Sequence, residues 1–186
     1  SISGFEFLSC IPGSIGGSIV MNSGCYGEDI SKIFLSLKVI DYDGKIETYN
    51  RNQIKFFYRG NNLKNNLIIL SAVLKGKKDD KDKISRKQNE LINKKKETQP
   101  TRVKTCGSTF KNPLNNKKAW ELIKLSECSG LKVGGASISE KHNNFFLNNG
   151  NANASDIESL INKVKQKVFS KTGINLELEI KIVGKK

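Results

Sequence analysis

The sequence predicts an α+β protein, a central sheet with flanking helices in two α+β units. Three observations carry that expectation. "LKVIDYDGKIETY" (residues 37–49) holds two alternating runs around Asp43-Gly44, a hairpin signal. The lysine-rich stretch from Lys78 to Lys96 reads as a helix that ends before Gln99-Pro100, because proline disfavours helix in the residue before it. A helical pattern at Ile157, Leu160, Ile161, Val164 and Val168 then gives way at Gly173 to Leu176, Leu178, Ile180 and Ile182, which alternate with charged residues.

Taken in order, the first element is the turn "CIPGSIGGSI" (residues 10–19), where Gly13, Gly16 and Gly17 surround Ser14 and Ile15. Clustered glycines allow positive φ and a close approach by a ligand or a second backbone. A phosphate cradle of successive N–H groups and a tight turn packed under a sheet both remain open here. Neither the P-loop pattern nor the dinucleotide Gly-x-Gly-x-x-Gly pattern is present. After the hairpin, "LIILSAVL" (residues 67–74) is nearly continuous in apolar residues, which predicts a strand buried on both faces. We place the boundary between units at residue 100, giving 1–100 and 101–186.

In the second unit, "TCGSTFKNP" (residues 105–113) reads as an ordered loop or short strand, followed by a helix near Lys117–Leu125 and a strand in "NNFFLNN" (residues 143–149). Ser155 and Glu158 have capping-box spacing for the long helix. No internal repeat is visible.

Composition narrows the function classes. A hydrophobic content of 37% supports a real core, and no apolar run reaches the roughly 20 residues that a membrane helix needs. The first residues lack the pattern of a signal peptide, so the expectation is a soluble, cytoplasmic protein without a membrane partner. The formal charge of +14 invites a nucleic-acid reading, but only Arg51, Arg59, Arg86 and Arg102 are arginines and much of the lysine lies in the mixed-sign run 75–96. That pattern fits a solvated helix face, and no nucleic-acid partner is expected. Cys10, Cys25, Cys106 and Cys128 form no Cys-x-x-Cys pair, so no metal site is expected and reduced thiols are the default.

The candidate chemical groups are few. Ser108 follows Gly107, and His142 is the only histidine, but no nucleophile elbow surrounds the serine, which argues against a hydrolase. Ser108 reads either as a loop serine bonded to backbone or as a proton donor. Arg59, beside Phe56, Phe57 and Tyr58, reads as a carboxylate clamp or as an arginine stacked on an aromatic ring. Glu177 and Glu179 share a strand face, and Lys141-His142 is a polar pair that a surface would also explain.

Read in order, "GFEFLSCIPGSIGGSIVMNSGCYG" (4–27), "YRG" (58–60), "QP" (99–100), "GSTFKNP" (107–113), "GLKVGGASISEKHNNFFLNN" (130–149) and "LELEIKIVG" (176–184) resemble the UDP-N-acetylenolpyruvoylglucosamine reductase family. The resemblance implies a two-subdomain FAD-binding unit of the PCMH kind, whose later part corresponds to residues 1–100, and a C-terminal substrate-binding domain at 101–186. It implies FAD and NADPH as cofactors and UDP-N-acetylglucosamine enolpyruvate as substrate, reduced to UDP-N-acetylmuramate for peptidoglycan. Gly13, Ser14, Ile15, Gly16, Gly17 and Asn22 match positions that hold FAD. Arg59 and Glu179, the latter protonated or sharing a proton, match groups that polarise the enolpyruvyl unit, and Ser108 matches the general acid. Lys111, Asn112 and His142 match substrate contacts.

The chain departs from the family at Gly60, where many relatives carry an acidic residue, at Cys10 and Cys25, and at Trp120, where a small residue is usual. The family's N-terminal FAD subdomain has no counterpart in the sequence, so a separate subdomain is an expected partner. The alternative function is an inactive remnant or nucleotide-sugar-binding module of the same enzyme.

Overall fold

The computed structural model describes residues 1–114 and 117–184. The chain divides into two compact units, Ser1–Lys95 and Lys96–Lys186. Helix and strand segregate as in an α+β protein. Among the described residues no helix is long and apolar enough to cross a membrane.

The first unit is organised by a three-stranded antiparallel sheet. A short helix, α1 (Ile15–Val20), precedes it, and the strands are β1 (Phe34–Asp41), β2 (Ile46–Asn50) and β3 (Leu67–Leu74), in the order β2-β1-β3. The expected hairpin is present. Gly44 turns it at φ +84°, and the Asp41 carboxylate accepts from the N–H groups of Asp43 and Lys45 at 3.0 and 2.8 Å. Phe34, Leu37 and Val39 point into a core with Phe7, Ile19, Ile30 and Ile54.

The strand at 67–74 corrects the sequence reading. Its burial alternates, with Ile69 and Leu74 toward the core while Ile68, Leu70 and Val73 are each about half exposed. A continuous apolar run reports hydrophobicity and not the number of covered faces. β3 is an edge strand paired only to β1, and α1 covers one side of it. A Cβ on Gly16 would meet the Ile69 side chain at 3.6 Å, an ordinary packing contact.

The lysine-rich helix, α2, spans Lys81–Thr98 and not 78–96. Lys77 and Lys78 instead pair with Ser3 and Ile2. The helix starts where Asp80 accepts from the N–H groups of Asp82 and Lys83 at 3.0 and 2.9 Å. No residue along it is buried, as expected for a solvated face.

The second unit has a four-stranded antiparallel sheet. Its elements are β4 (Lys104–Ser108), helix α3 (Ala119–Leu125), β5 (Lys132–Val133), β6 (Ala136–Ile138), β7 (Phe145–Asn148) and helix α4 (Ala154–Thr172). The order is β4-β7-β6-β5. Strands β5 and β6 went unread in the sequence, although Gly134-Gly135 between apolar residues is the turn that joins them. A Cβ on Gly135 would lie 2.4 Å from the Ala152 backbone nitrogen, so only glycine lets the turn lie against that loop. Leu160, Ile161, Val164 and Val168 of α4 bury their side chains against Phe110, Ile123, Ile138 and Phe146.

Two further expectations change in detail. The capping box of α4 is Asn153 with Asp156, and not Ser155 with Glu158. Asn153 accepts from the Asp156 N–H at 2.8 Å and Asp156 accepts from the Asn153 N–H at 3.1 Å. The helix ends at Gly173 (φ +71°) as the sequence predicts. The segment 176–182 forms no regular strand. It makes one antiparallel bridge, Phe110 to Leu178. Leu176 is buried and Leu178 and Ile180 pack on the core, but Ile182 is 53% exposed, so alternation of residue types persists past the point where pairing stops.

Two substitutions test this packing by urea denaturation. Gly135→Ala forces the Ala152 backbone away and is expected to cost about 2 kcal/mol. Gly16→Ala, at a helical position where the new Cβ would meet Ile69 at 3.6 Å, an ordinary packing contact, is expected to cost less; equal effects would contradict the packing account.

Candidate functional site

In the second unit the site is built from a bulge, a crossing segment and one buried amide. Thr105 pairs with Leu147 and Ser108 with Phe145, so β4 carries one more residue than β7 between these pairs. Gly107 takes the strain at φ +85°, and its N–H donates to the Thr105 hydroxyl at 3.3 Å. The bulge turns Ser108 into a half-buried position at the strand end.

Beyond Ser108 the backbone is held from two sides. The Thr109 N–H donates to the Asn144 carbonyl at 2.8 Å. The buried Asn144 side chain accepts from the Phe110 N–H at 2.9 Å and donates to the Phe110 carbonyl at 2.7 Å. On the other side, the Glu179 N–H donates to the Thr109 carbonyl at 2.9 Å and the Lys111 N–H to the Glu177 carbonyl at 2.8 Å. The Ser108–Lys111 backbone is thereby tied to the Glu177–Glu179 segment. Lys111 pairs with the exposed Glu177 carboxylate at 3.5 Å, a contact worth little in solvent. Asn112 accepts from the Ala119 N–H at 3.0 Å and so closes the loop that leads into α3.

His142 sits at the turn before β7. The Asn144 N–H donates to His142 Nδ1 at 3.3 Å, and the imidazole meets the Phe145 ring edge to face with centroids 4.8 Å apart. Burial pushes its pKa below the ordinary 6.5. The result is a neutral ring at neutral pH, with its proton on Nε2.

In the first unit the glycine turn feeds α1. Gly13 has φ +132° with open space on the side a Cβ would occupy, and the exposed Ser14 accepts from the Gly17 N–H at 3.1 Å as N-cap. Ile15 is exposed and Gly16 partly so. An exposed, glycine-rich turn with a positive-φ glycine fits the close approach of a nucleotide phosphate, and so fits the FAD that the resemblance implies. Asn22 is buried at φ +39°. Its amide donates to the Phe57 carbonyl at 3.1 Å and accepts from the Ser31 N–H at 3.0 Å. That engagement makes it a brace for the turn's surroundings.

Arg59 occupies a two-residue turn between the paired Phe57 and Gly60. Its φ of +56° is unusual for a non-glycine residue, and its guanidinium lies 4.9 Å from the Tyr58 ring centroid. Both sequence readings, clamp and aromatic stacking, are compatible with this geometry. Gly60 is explained: a Cβ there would lie 2.4 Å from the Phe57 ring. Cys25 lies near this turn. Burial, and then the neighbouring Cys10, push its thiol up to about 11, while Lys95 and Arg59 pull the other way. All four cysteines are free thiols. A cavity of about 530 Å³ in the same unit, with Lys32, Lys75, Lys77 and Lys87 in its lining, contains none of the candidate residues.

Sequence reasoning missed Asn144 and Asn61 as organisers. Asn61 donates to the Ile19 and Val20 carbonyls at 2.9 and 3.1 Å, which caps the end of α1. Their signal was faint, since each is one asparagine of an "NN" pair in a loop-like stretch.

Comparison with known proteins bears on both units. The family described as UDP-N-acetylenolpyruvoylglucosamine reductase, C-terminal domain, matches residues 99–183, and that described as FAD binding domain matches residues 1–50. The proteins named UDP-N-acetylenolpyruvoylglucosamine reductase in Rickettsia prowazekii (strain Madrid E) and Rickettsia typhi (strain ATCC VR-144 / Wilmington) are 49% and 48% identical over 185 residues. Each match covers 100% of this chain and 62% of the relative. The crystal structure of UDP-N-acetylenolpyruvylglucosamine reductase (MurB) from Thermus caldophilus is similar with a TM-score of 0.86 and 34% identity, over 97% of this chain and 64% of that one. The chain thus spans about three fifths of the length of these relatives, and it belongs to the UDP-N-acetylenolpyruvoylglucosamine reductase family.

Proposed function

We propose that this chain carries flavin-facing and substrate-facing parts of an NADPH-driven reductase that converts UDP-N-acetylglucosamine enolpyruvate to UDP-N-acetylmuramate in peptidoglycan synthesis. The observation that carries the reading is the backbone bond from the Glu179 N–H to the Thr109 carbonyl, which ties the Glu179 segment to the residue next to Ser108. A hydroxyl and a carboxyl carried on backbone segments this close suit a reaction that adds a hydride and a proton across a polarised double bond.

Residues Gly13–Gly17 would hold the flavin nucleotide, and bound flavin supplies the hydride for the vinyl carbon remote from the carboxylate. Negative charge then spreads from the adjacent carbon into the carboxylate. Glu179 is assigned to that charge, and the family resemblance gives Arg59 a polarising role as well. They lower the barrier to the extent that they favour the charged transition state over the ground state. The Ser108 hydroxyl delivers the proton to the carbon that bears the carboxylate. Because Gly107 and the Asn144 clamp fix its backbone, Ser108 needs little reorganisation at that moment. Lys111, Asn112 and His142 are assigned to the nucleotide sugar.

Three outcomes test this reading. Titration of the chain with FAD, followed in the visible spectrum, is expected to show saturable binding that Gly13→Val weakens, since valine is strained at φ +132° and would enter the space assigned to phosphate; binding indifferent to Gly13→Val would move the flavin elsewhere. In an assay that follows NADPH oxidation and substrate loss separately, Ser108→Ala should leave flavin reduction intact and slow substrate reduction by about 10²–10⁴. Equal loss of both steps would make Ser108 structural.

The third concerns pH. With its folded pKa below its unfolded value, His142 disfavours folding only when protonated. Its contribution to stability is therefore full above about 6.5 and declines as pH falls through the folded value. Proton NMR of this sole histidine should titrate below 6.5, and a midpoint at or above 6.5 would contradict its burial.

A further inference from the structure

The single tryptophan of the chain is 36% exposed on the first turn of α3. Its neighbours on that turn face the core, since Ala119, Leu122 and Ile123 are buried. Trp120 instead reaches His142, with ring centroids 6.2 Å apart and planes tilted by 54°. His142 in turn rests on Phe145, the register partner of Ser108. Register partners share a sheet face, so Ser108 and Phe145 lie on the face opposite to Phe146, which enters the core, and ring contacts lead from Phe145 through His142 to Trp120. The loop that brings Trp120 there is closed by Asn112 through the Ala119 N–H, one residue away.

The His142 ring is fixed as a donor. Its Nδ1 accepts from Asn144, and among the described residues nothing accepts from Nε2–H. A half-buried neutral donor beside a partly exposed indole is an arrangement suited to a planar ring that carries carbonyl oxygens. A bare anion would gain more from a cation than from a neutral imidazole.

We propose that Trp120 is a specificity-determining residue that stacks on the uracil ring of the nucleotide sugar, with His142 Nε2–H donating to an oxygen of the same nucleotide. This rests on the reductase reading above for the identity of the ligand. The site then extends from Ser108, at the reacting end, to an aromatic wall that selects a pyrimidine nucleotide over other phosphates.

The chain supplies its own probe, because Trp120 is the sole source of tryptophan emission. The 186-residue chain is titrated with UDP-N-acetylglucosamine, with uridine and with inorganic pyrophosphate, each followed by calorimetry and by emission. Expected are quenching by the nucleotide sugar at the calorimetric midpoint, quenching by uridine at higher concentration, and no response to pyrophosphate. Trp120→Leu should weaken nucleotide-sugar binding about tenfold, within the range for loss of one base stack, with an unchanged circular dichroism spectrum. His142→Gln, which keeps an N–H donor, should retain more affinity than His142→Phe.

Heat of binding with unchanged Trp120 emission would overturn the proposal and leave the reductase reading standing. Quenching by pyrophosphate equal to that by uridine would overturn it in favour of simple anion binding. No heat with the nucleotide sugar would remove the ligand reading, and the proposal with it.

Discussion

The second unit depends on the way Asn144 holds the backbone of Phe110. One buried amide satisfies both the N–H and the carbonyl of a residue whose side chain lies in the core. In effect a side chain replaces a rung of a β-ladder where β4 and β7 stop pairing regularly. An unmet N–H or carbonyl at that depth costs on the order of 1–3 kcal/mol, so the clamp is strongly preferred over any looser arrangement. It forces the chain to leave the sheet after Ser108 along one course. The segment 177–179 then completes the other side of that course through Thr109 and Lys111. Ser108, Lys111 and Glu179 owe their proximity to these backbone bonds more than to contacts among their own side chains.

The first unit uses the same device with different residues. Asn22 and Asn61 each spend a side-chain amide on backbone groups of distant segments. Asn61 finishes α1 and Asn22 ties the turn region at Phe57 to Ser31, so the glycine turn is held at its far end without a side chain of its own. Rigid support from below and a bare backbone above are compatible demands. Glycine at 13 serves the second, and the asparagines serve the first. Arg59 shows the cost of the arrangement: a two-residue turn imposes positive φ on a residue that carries a large side chain.

Much of the fold was legible because its signals are local. The Asp43-Gly44 hairpin, the helix over 154–172 and its stop at Gly173 all follow from residues within one or two turns of each other. The misreadings came where a neighbour decides. The run 67–74 lacks a covering layer on one face, which no feature of its own sequence reports. Alternation at 176–182 persists while the backbone bonds to the 109–111 segment end at Glu179. Asn153 rather than Ser155 caps α4, because the cap is set by where the Gly134-Gly135 turn packs, and Asp156 also accepts from the Gly135 N–H at 3.2 Å. The candidate residues themselves came from ordered family resemblance. Their side-chain chemistry alone left Ser108, Arg59 and His142 open to plainer readings, and the braces Asn144 and Asn61 carried only the faint signal of an asparagine pair.

The central claim is that the Ser108–Glu179 juxtaposition receives the enolpyruvyl end of a uridine nucleotide sugar. A crystal structure of the chain with UDP-N-acetylglucosamine enolpyruvate tests it most directly. The account predicts the enolpyruvyl carbons within reach of the Ser108 hydroxyl and the nucleotide extending toward His142 and Trp120. Ligand density elsewhere, with Ser108 and Glu179 facing solvent, would contradict it.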